Sequence, residues 1–382
     1  MDFDLTEEQS LLKDSVDRLF ADQYSFEQRK RVLTSPEGWS AGMWARYAEL
    51  GLLALPFAEA DGGIGAGPVE TAIVMEAIGR SLALEPYLTT VVLGGGFLRA
   101  AGSAEQKAEI VPGIADGSLK LAFAQAERHA RYDLHHVETT AKRDGGDFVI
   151  SGAKGVVLHG DSADRLIVTA RTAGGVRDEN GVGVFLVDAG ANGVSRRGYV
   201  MQDGLRAAEI TFDNVRAPAS AALGDPENGL PLVRKVVDQT IAALAAEAVG
   251  VMSAMNALTV EYLKVRKQFG VPIGAFQVLQ HKAVDIYVAL EQARSITLYA
   301  TMMADSDDDA ERGRASHAAK VEIGRGGRLA GENAVQLHGG VGMTMDYAVG
   351  HQFKRMTMID LTFGDSEHHL AALADAGTLF AG

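Results

Sequence analysis

The sequence predicts an α+β fold made of a helical N-terminal domain (residues 1–120), a β domain in the middle (121–228) and a helical C-terminal domain (229–382). Three observations lead to this prediction. Apolar residues recur at helical spacing in the first and last parts, and short β-rich runs bounded by turn residues fill the middle. The chain, at 382 residues, is also long enough for two or three domains. The α–β–α order thus follows from periodicity alone.

The N-terminal part begins with a helix whose start is marked by Thr6 and Gln9, in the spacing of a capping box. Leu12, Val16 and Leu19 then recur on one face of that helix. Helical patterns continue to about residue 120. They are interrupted at three places that we expect to be loops: Pro36, the glycines of 62–67 and Gly94–Gly96.

The middle part contains short runs rich in β-branched and aromatic residues, separated by turn clusters such as Asp144–Asp147. We expect strands at Phe148–Ser151, Leu166–Ala170, Val182–Val187 and Glu209–Phe212. After Gly229, a wide apolar face runs from Val233 to Met255 and predicts a long helix. Two further long helices are expected at Gln277–Met303 and Ala310–Leu337, the second stopped by Gly339 and Gly340.

Composition excludes several classes of function. The net charge of −14 disfavours nucleic acid as a partner, and the absence of cysteine excludes disulfides, thiolate catalysis and cysteine-bound metals. No charge-free run is long enough to cross a bilayer, and the acidic N-terminus has no signal core, so we expect a cytoplasmic protein that does not enter a membrane. The dinucleotide, P-loop, nucleophile-elbow and H-E-x-x-H motifs are absent. The pairs His135–His136 and His368–His369 lack a third ligand at suitable spacing, so no metal is expected.

Two segments carry chemistry that suits a dinucleotide diphosphate. The first is Arg266-Lys267-Gln268-Phe269-Gly270, and the second runs from Gln336 to Gly342 and contains Gly339-Gly340. An arginine offers a planar fork of donors to phosphate oxygens, and glycines without a Cβ let backbone N–H groups approach closely. Taken singly, the first segment is more often a helix end with its glycine cap and the second only a turn.

In order and spacing, these segments resemble the two FAD-binding stretches of the acyl-CoA dehydrogenase family. The resemblance covers essentially the whole chain, with further landmarks at Gly51–Pro56, Gln106-Lys107 and Phe212–Pro218. It implies the acyl-CoA dehydrogenase fold, in which the C-terminal domain is a four-helix bundle, and FAD as cofactor. It also implies that the two segments grip an FAD held mainly by a neighbouring subunit. The residues that the resemblance assigns to cofactor binding are Arg266, Gln268, Phe269, Gln277, Gln336, Leu337, His338, Gly339 and Gly340.

The same resemblance implies an FAD-dependent oxidoreductase that desaturates an acyl-CoA thioester between its α and β carbons, in fatty acid or steroid side-chain catabolism. The implied partners are an acyl-CoA thioester, an electron-transfer flavoprotein, and a second copy or a family paralogue in a dimer or tetramer. A carboxylate must take the α-proton in this reaction. The decisive question is which carboxylate of this chain does so.

Both positions that hold the base in the family lack a carboxylate here: alignment places Phe363 at one and Thr240 at the other. Glu247 lies seven residues after Thr240 on the same helical face, in an apolar stretch. Such a residue is either a functional acid or the buried partner of an arginine, and Glu247 is our candidate base. Asp365 and Glu367 lie near Phe363 as further candidates, with solvated helix-start carboxylates as the alternative.

The middle domain departs from the family where the flavin ring would lie. A Thr-Glu-Pro-Gly-x-Gly-Ser-Asp loop is replaced from Gln125 to His129, and a Trp-Ile-Thr-Asn strand is replaced by Val156–His159. The sequence is similar in this respect to the small, base-lacking subunits of heteromeric bacterial acyl-CoA dehydrogenases, such as those called pimeloyl-CoA dehydrogenase small subunit. Two hypotheses follow: a complete dehydrogenase, or a non-catalytic subunit that completes the FAD site of a catalytic paralogue.

Overall fold

The computed structural model describes residues 4–377. They form two compact units. One contains the described parts of Met1–Arg31, Pro68–Ala83 and Ile241–Gly382 and is helical apart from one short hairpin. The other, Val32–Gly67 with Leu84–Thr240, contains a large β-sheet together with helices.

The helices occupy both ends of the chain and the strands its middle. Within residues 4–377 the α-helices are α1 (Glu7–Gln23), α2 (Phe26–Leu33), α3 (Ala41–Glu49), α4 (Pro68–Ser81), α5 (Gly95–Ala101), α6 (Ala104–Ala115), α7 (Leu230–Val265), α8 (Gln277–Met303), α9 (Asp309–His338), α10 (Ala348–Leu361) and α11 (Ser366–Asp375). The strands of that stretch are β1 (Leu121–Ala124), β2 (Thr140–Asp144), β3 (Asp147–Leu158), β4 (Arg165–Arg171), β5 (Val182–Asp188), β6 (Val194–Val200), β7 (Arg206–Pro218), β8 (Lys267–Gln268) and β9 (Val271–Pro272).

Local signals in the sequence are confirmed at several helix ends. Thr6 and Gln9 form the expected capping box, in which the Gln9 N–H donates to Thr6 Oγ1 at 3.2 Å and the Thr6 N–H to Gln9 Oε1 at 3.0 Å. Helix α8 has the predicted bounds, and α9 ends at His338 with Gly339 as its C-cap, as expected from a stop at this glycine. Each of the four predicted strands lies within an observed one.

The expectation of a loop at Gly94–Gly96 is wrong. A π-helical stretch, Leu88–Gly94, continues directly into α5, and all three glycines are buried. A Cβ at Gly94 would lie 2.5 Å from Leu121 Cβ, and one at Gly95 would lie 2.7 Å from the Phe57 ring. These glycines serve close packing within a helix, which a sequence pattern cannot distinguish from a turn.

The sheet has seven strands in the order β1-β4-β2-β3-β7-β6, with β5 paired to β4. β1 and β2 run parallel to β4, and the other pairs are antiparallel. Its core is aliphatic around the rings of Phe148 and Phe185, whose centroids are 4.8 Å apart. The pairing of β3 with β7 shifts register twice, between Ile150 and Gly152 and between Lys154 and Val157. These irregularities bend β3 where residues of the candidate site lie.

Helix α7 is long and apolar. It is the one helix of residues 4–377 whose length and composition would allow it to cross a membrane, and 72% of its apolar window is buried inside the protein. Burial on this scale is typical of a core helix.

Helices α4 and α7 approach each other so closely that only glycine fits at two positions. A Cβ at Gly250 would lie 1.9 Å from the Glu76 carbonyl oxygen, and one at Gly79 would lie 2.0 Å from the Glu247 carbonyl oxygen. Both obstacles are backbone atoms, which cannot turn aside as a flexible side chain would. The contact therefore depends on the absence of two side chains.

We expect Gly250→Ala to lower the free energy of unfolding by about 3 kcal/mol, because the helices must separate to admit the methyl group. The better helix propensity of alanine, worth about 1 kcal/mol, offsets part of the effect. Urea denaturation followed by circular dichroism measures the change. Gly146→Ala is the matched control, because a Cβ at Gly146 meets no atom within 4 Å. Equal midpoints for the two variants would contradict the close approach of α4 and α7.

Candidate functional site

Helix α7 is followed by a short β-hairpin with a two-residue turn, and an aromatic ring in this turn is exposed to solvent. β8 and β9 pair around Phe269 and Gly270, whose φ angles of 53° and 83° are both positive, as a type I′ turn requires. Phenylalanine is an unusual residue for the first of these positions. Its side chain is 90% exposed, and its nearest aromatic neighbour is Phe276, 6.0 Å away between ring centroids. A strained, exposed aromatic residue points to a functional role for this tip.

The end of α9 is an open stretch of backbone. Gly339 has φ 61° and ψ −142°, a combination that residues with a Cβ avoid. A Cβ at Gly339 or at Gly340 would meet no atom within 4 Å. A ligand can therefore come into direct contact with the main chain at this point.

A cluster of three rings brings these two segments together. The Tyr262 ring, one turn before Arg266, lies 4.5 Å from the His338 ring, and the Tyr347 ring lies 5.1 Å from His338. Burial lowers the pKa of His338, which is hydrogen-bonded through Nδ1 to the Ala334 carbonyl oxygen at 2.8 Å. His338 is thus a neutral packing element that joins the last turns of α7 and α9.

The residues expected to bind the cofactor differ in exposure. Leu337 and His338 are buried, so their side chains pack in the interior and hold the segment in place. The others are exposed: Arg266, Gln268, Phe269, Gln277, Gln336, Gly339 and Gly340. Within residues 4–377, the Arg266 guanidinium has no hydrogen-bond or ion-pair partner. A free guanidinium, an exposed aromatic ring and an open Gly-Gly backbone fit the diphosphate half of FAD.

The turn that aligns with the family's base is fixed by a buried lysine. Phe363, at φ 60°, and Gly364, at φ 115°, follow the end of α10. Lys320 Nζ, from α9, donates to the carbonyl oxygens of Ile359 at 2.6 Å and of Asp360 and Thr362 at 2.8 Å each. Burial lowers the pKa of Lys320 to about 7, while the charge of Asp360 acts in the opposite direction. The lysine satisfies the open carbonyls of the helix end.

Two histidines hold the same turn from the other side. His369 Nε2 lies 3.0 Å from the Phe363 carbonyl oxygen, and His369 Nδ1 lies 2.7 Å from His317 Nδ1. Because a carbonyl oxygen only accepts, Nε2 of His369 carries the proton and its Nδ1 accepts from His317. Burial, followed by the charge of Lys320, lowers the pKa of His369 to about 2. The ring is neutral, and it fixes the turn at which the resemblance places Phe363 in the position of the base.

Each of three carboxylates near the turn has a hydrogen-bond partner in the structure. Asp365 is the N-cap of α11 and accepts from the His368 N–H at 2.8 Å. Glu367 is exposed and accepts from Arg325 at 2.8 Å. Both have the ordinary helix-start role. Asp360, which the sequence analysis did not single out, accepts from the Ser366 N–H at 3.0 Å, and burial raises its pKa. It belongs to the framework of the turn.

Glu247 is a buried partner of an arginine, as the alternative to a functional acid expected, and its role as the base stays a prediction. Arg355 Nε donates to Glu247 Oε1 at 2.6 Å and its Nη2 to Oε2 at 2.8 Å, and both side chains are buried. The two bonds hold the carboxylate in a bidentate pair with the guanidinium. Thr240 is also internal to α7, where its hydroxyl donates to the Val236 carbonyl oxygen at 2.7 Å.

In the β-sheet unit, the loop that follows β1 is anchored by a buried ion pair. Glu127 accepts from Lys154 Nζ at 2.6 Å and from the backbone N–H groups of Glu138 and Thr139 at 2.6 and 3.0 Å. Lys154 Nζ also donates to Thr169 Oγ1 at 3.0 Å. The attraction of Lys154 opposes the effect of burial and lowers the pKa of Glu127, so this carboxylate is charged. Both ends of the loop are thereby tied to β3.

The strand that replaces Trp-Ile-Thr-Asn is distorted. Val156 has φ 50° and lies in the second register shift of β3, and His159 has φ 51°. A β-branched residue with positive φ is a genuine outlier, and such strain is concentrated at functional sites.

Across residues 4–377, no group of three or more His, Asp or Glu side chains is arranged to hold a metal ion.

Comparison with known proteins identifies the class that this fold and these segments define. Three domain models of acyl-CoA dehydrogenases match the chain in succession: the N-terminal domain over residues 6–118, the middle domain over 122–215 and the C-terminal domain over 227–378. The chain therefore belongs to the acyl-CoA dehydrogenase family. The three-domain fold expected from the sequence is confirmed, and family membership implies a flavoprotein oxidoreductase that binds FAD.

The relatives cover nearly all of the chain. It is 30% identical over 372 residues to the probable acyl-CoA dehydrogenase YngJ of Bacillus subtilis (strain 168), covering 96% of this chain and 97% of the relative. It is 33% identical over 312 residues to the acyl-CoA dehydrogenase FadE12 of Mycobacterium tuberculosis, covering 80% of each. Among solved structures, a variant of the Tcur3481-Tcur3483 steroid acyl-CoA dehydrogenase has a TM-score of 0.88 at 32% identity, with 97% of each chain covered.

Proposed function

We propose that the chain is one subunit of a flavin-dependent acyl-CoA dehydrogenase and that it completes the FAD site of a paralogous, catalytic subunit. One observation carries this proposal. The Arg266 guanidinium, the Phe269 ring and the Gly339-Gly340 backbone are exposed, whereas the expected base positions hold Phe363 and Thr240, and Glu247 is bound to Arg355. The proposed substrate is an acyl-CoA thioester, the proposed electron acceptor is an electron-transfer flavoprotein, and the proposed compartment is the cytoplasm.

The reaction separates into tasks that the residues can or cannot perform. When bound, FAD accepts the hydride from the β-carbon of the thioester. The protein must supply a carboxylate within hydrogen-bond reach of the α-proton, in a site that excludes water. The described residues offer no free carboxylate at the three positions considered. In our proposal the paralogue supplies that carboxylate, and this chain binds and orients the diphosphate.

The role of each diphosphate-side residue follows from its chemistry. The Arg266 guanidinium has unused donors that suit phosphate oxygens. Gly339 and Gly340 leave room for an oxygen atom against the main chain. Phe269, at the tip of its hairpin, covers apolar surface on the partner. The steroid dehydrogenase Tcur3481-Tcur3483, whose name joins two chains, supports a heteromeric assembly, since it is 32% identical to this chain.

The test compares the chain purified alone with the chain co-expressed with a family paralogue that has a carboxylate at the Phe363 position. Each sample is titrated anaerobically with acyl-CoA thioesters of several chain lengths and ring systems, and the flavin absorbance is followed. We expect flavin and bleaching in the complex, and no bleaching in the chain alone. Bleaching by the chain alone would establish a complete dehydrogenase and overturn the proposal.

A variant locates the contribution to the FAD site. Arg266→Gln should reduce the flavin retained per complex by about tenfold, because a charged donor to phosphate is lost. Arg328→Gln is the matched control, since Arg328 is an exposed arginine whose side chain pairs with Glu332. Equal flavin content in both variants would show that Arg266 does not contribute to FAD binding.

A further inference from the structure

We propose that two copies of this chain associate with each other through α8, with the two helices antiparallel and the contact centred on Ala293. The inference rests on an exposed apolar stripe of α8 whose pattern is complementary to itself. It concerns a surface of the helical unit alone. It holds whether the chain is catalytic by itself or acts with a paralogue.

One side of α8 is apolar although it faces solvent. Six large side chains on this side are between 37% and 57% exposed: Val284, Tyr287, Val288, Leu298, Tyr299 and Met302. Together with Glu291 and Ser295 between them, they form what we call the α8 stripe, about 27 Å long. The opposite side of the helix is buried, with Ile286, Ala293 and Ala300 in the interior. An apolar surface of this length marks an interaction site.

The spacing of the α8 stripe is that of a coiled-coil seam. Six of its residues follow one another at alternating intervals of four and three: Val284, Val288, Glu291, Ser295, Leu298 and Met302. This repeat places them on a line that faces a second helix. Glu291 and Ser295, the polar members, lie at the middle of the line. A polar residue in such a seam lowers stability but fixes the register of the two helices.

The α8 stripe matches itself when one copy is reversed. Antiparallel pairing about Ala293 brings together three apolar pairs: Val284 with Met302 of the second copy, Tyr287 with Leu298, and Val288 with Tyr299. The midpoint of each pair falls at Ala293 or within half a residue of it. Each pair occurs twice, because a two-fold axis relates the copies. The same residues therefore form both halves of one interface.

The charges near the centre also favour antiparallel helices. In this register, Arg294 of one copy lies beside Glu291 of the other. Within one chain, Arg294 Nη1 is 3.5 Å from Glu76 Oε1 and Arg294 Nε is 3.7 Å from Glu291 Oε1. Both distances are long for charge-assisted hydrogen bonds, so the guanidinium retains donors for a second carboxylate. Parallel helices would instead place the two Glu291 side chains together, which is unfavourable.

A groove beside the α8 stripe has room for an aromatic ring. It lies between α8, α9 and α11, has a volume of about 750 Å³, and is lined in part by Val288, Val321 and Leu373. Because Val288 forms one wall, Tyr299 of the second copy enters this groove in the antiparallel register. A tyrosine suits such a place, since its ring fills apolar space and its hydroxyl group can bond to Glu322 of the lining.

The first test is the oligomeric state of the chain purified alone, measured by sedimentation velocity at several concentrations. We expect a dimer whose dissociation constant rises more than about a hundredfold in Leu298→Asp, because symmetry places two unpaired carboxylates in the interface. Leu11→Asp is the matched control, since Leu11 is 61% exposed on α1 and lies outside the α8 stripe. Circular dichroism should show the same helix content in both variants. A monomeric wild type, or a dimer that persists in Leu298→Asp, would overturn the proposal.

Cysteine cross-linking tests the register, because the chain has no cysteine of its own. In the double variant Val284→Cys with Met302→Cys, each new thiol faces one on the second copy, and oxidation should join the copies covalently. Neither single variant should cross-link, since its thiols are then about 27 Å apart along the helices. Non-reducing electrophoresis separates these outcomes. A covalent dimer in Val284→Cys alone, or none in the double variant, would contradict antiparallel pairing about Ala293.

These measurements do not depend on the proposed role in flavin binding. They use neither flavin nor paralogue, and the α8 stripe contains none of the residues assigned to the cofactor. A dimer of the chain alone that carries no flavin supports both proposals. A chain that is monomeric alone and joins a paralogue through the α8 stripe would overturn self-association and leave the subunit proposal intact.

Discussion

Replacing Glu247 by leucine is expected to lower the free energy of unfolding by about 3–5 kcal/mol, because the buried Arg355 guanidinium loses the opposite charge of Glu247. Leucine has a similar volume, so little of the loss comes from a cavity. Both guanidinium bonds, at 2.6 and 2.8 Å, disappear in this variant. Urea denaturation with two independent probes measures the change.

The pair itself can be tested by removing both charges. Glu247→Leu with Arg355→Met should recover most of the lost stability, since apolar residues of similar size can replace a buried ion pair. Glu367→Gln is the matched control, because it breaks an exposed pair with Arg325 and should cost no more than about 1 kcal/mol. If Glu247→Leu were as stable as the wild type and only turnover fell, Glu247 would be a functional acid after all.

Acid is the second strong perturbation. Lowering the pH from about 6.5 to about 5 should reduce the free energy of unfolding by about 2 kcal/mol through His369 alone. In the fold, its pKa is lowered to about 2, chiefly by burial and also by the charges of Lys320, His317 and His368, with the Phe363 carbonyl opposing. The unfolded chain therefore binds a proton in this window that the folded chain does not. Stability is full above the unfolded pKa and is lost as the pH falls.

His369→Gln should flatten this dependence, because glutamine does not titrate. The measurement is the free energy of unfolding at closely spaced pH values for both proteins. His281→Gln replaces an exposed histidine and serves as the control. His317, whose pKa burial also lowers, leaves some slope in every variant. Parallel curves for the wild type and His369→Gln would contradict the assignment of a neutral, buried His369.

The fold could be predicted from the sequence wherever a local pattern has one structural meaning. The capping box at Thr6 and the bounds of α8 are of this kind, since periodicity and end signals agree there. Gly94–Gly96 is not, because a glycine can serve a turn or a close contact. Gly94 and Gly95 pack against Leu121 and Phe57, which are distant in sequence, and this packing cannot be seen in a local pattern.

Prediction of the site was limited in the same way, because contacts between residues distant in sequence leave no local pattern. Glu247 had two interpretations, and the one that names an arginine partner is borne out only by the position of Arg355, 108 residues away. Lys320 could have been noticed, because Ser316 and Ile323 share its buried face at helical spacing and a buried lysine needs acceptors. His317 and His369 gave no such signal, since their bond joins α9 to α11.

The exposed phenylalanine at the tip of the β8–β9 hairpin has a consequence for the life of the protein in the cell. A newly made copy without a partner presents Phe269 to every chaperone and protease that recognises apolar surface. In the proposed assembly the partner covers this ring, so only unassembled copies expose it. On that proposal, the steady-state abundance of this chain should follow that of the paralogue, because unassembled copies are degraded faster.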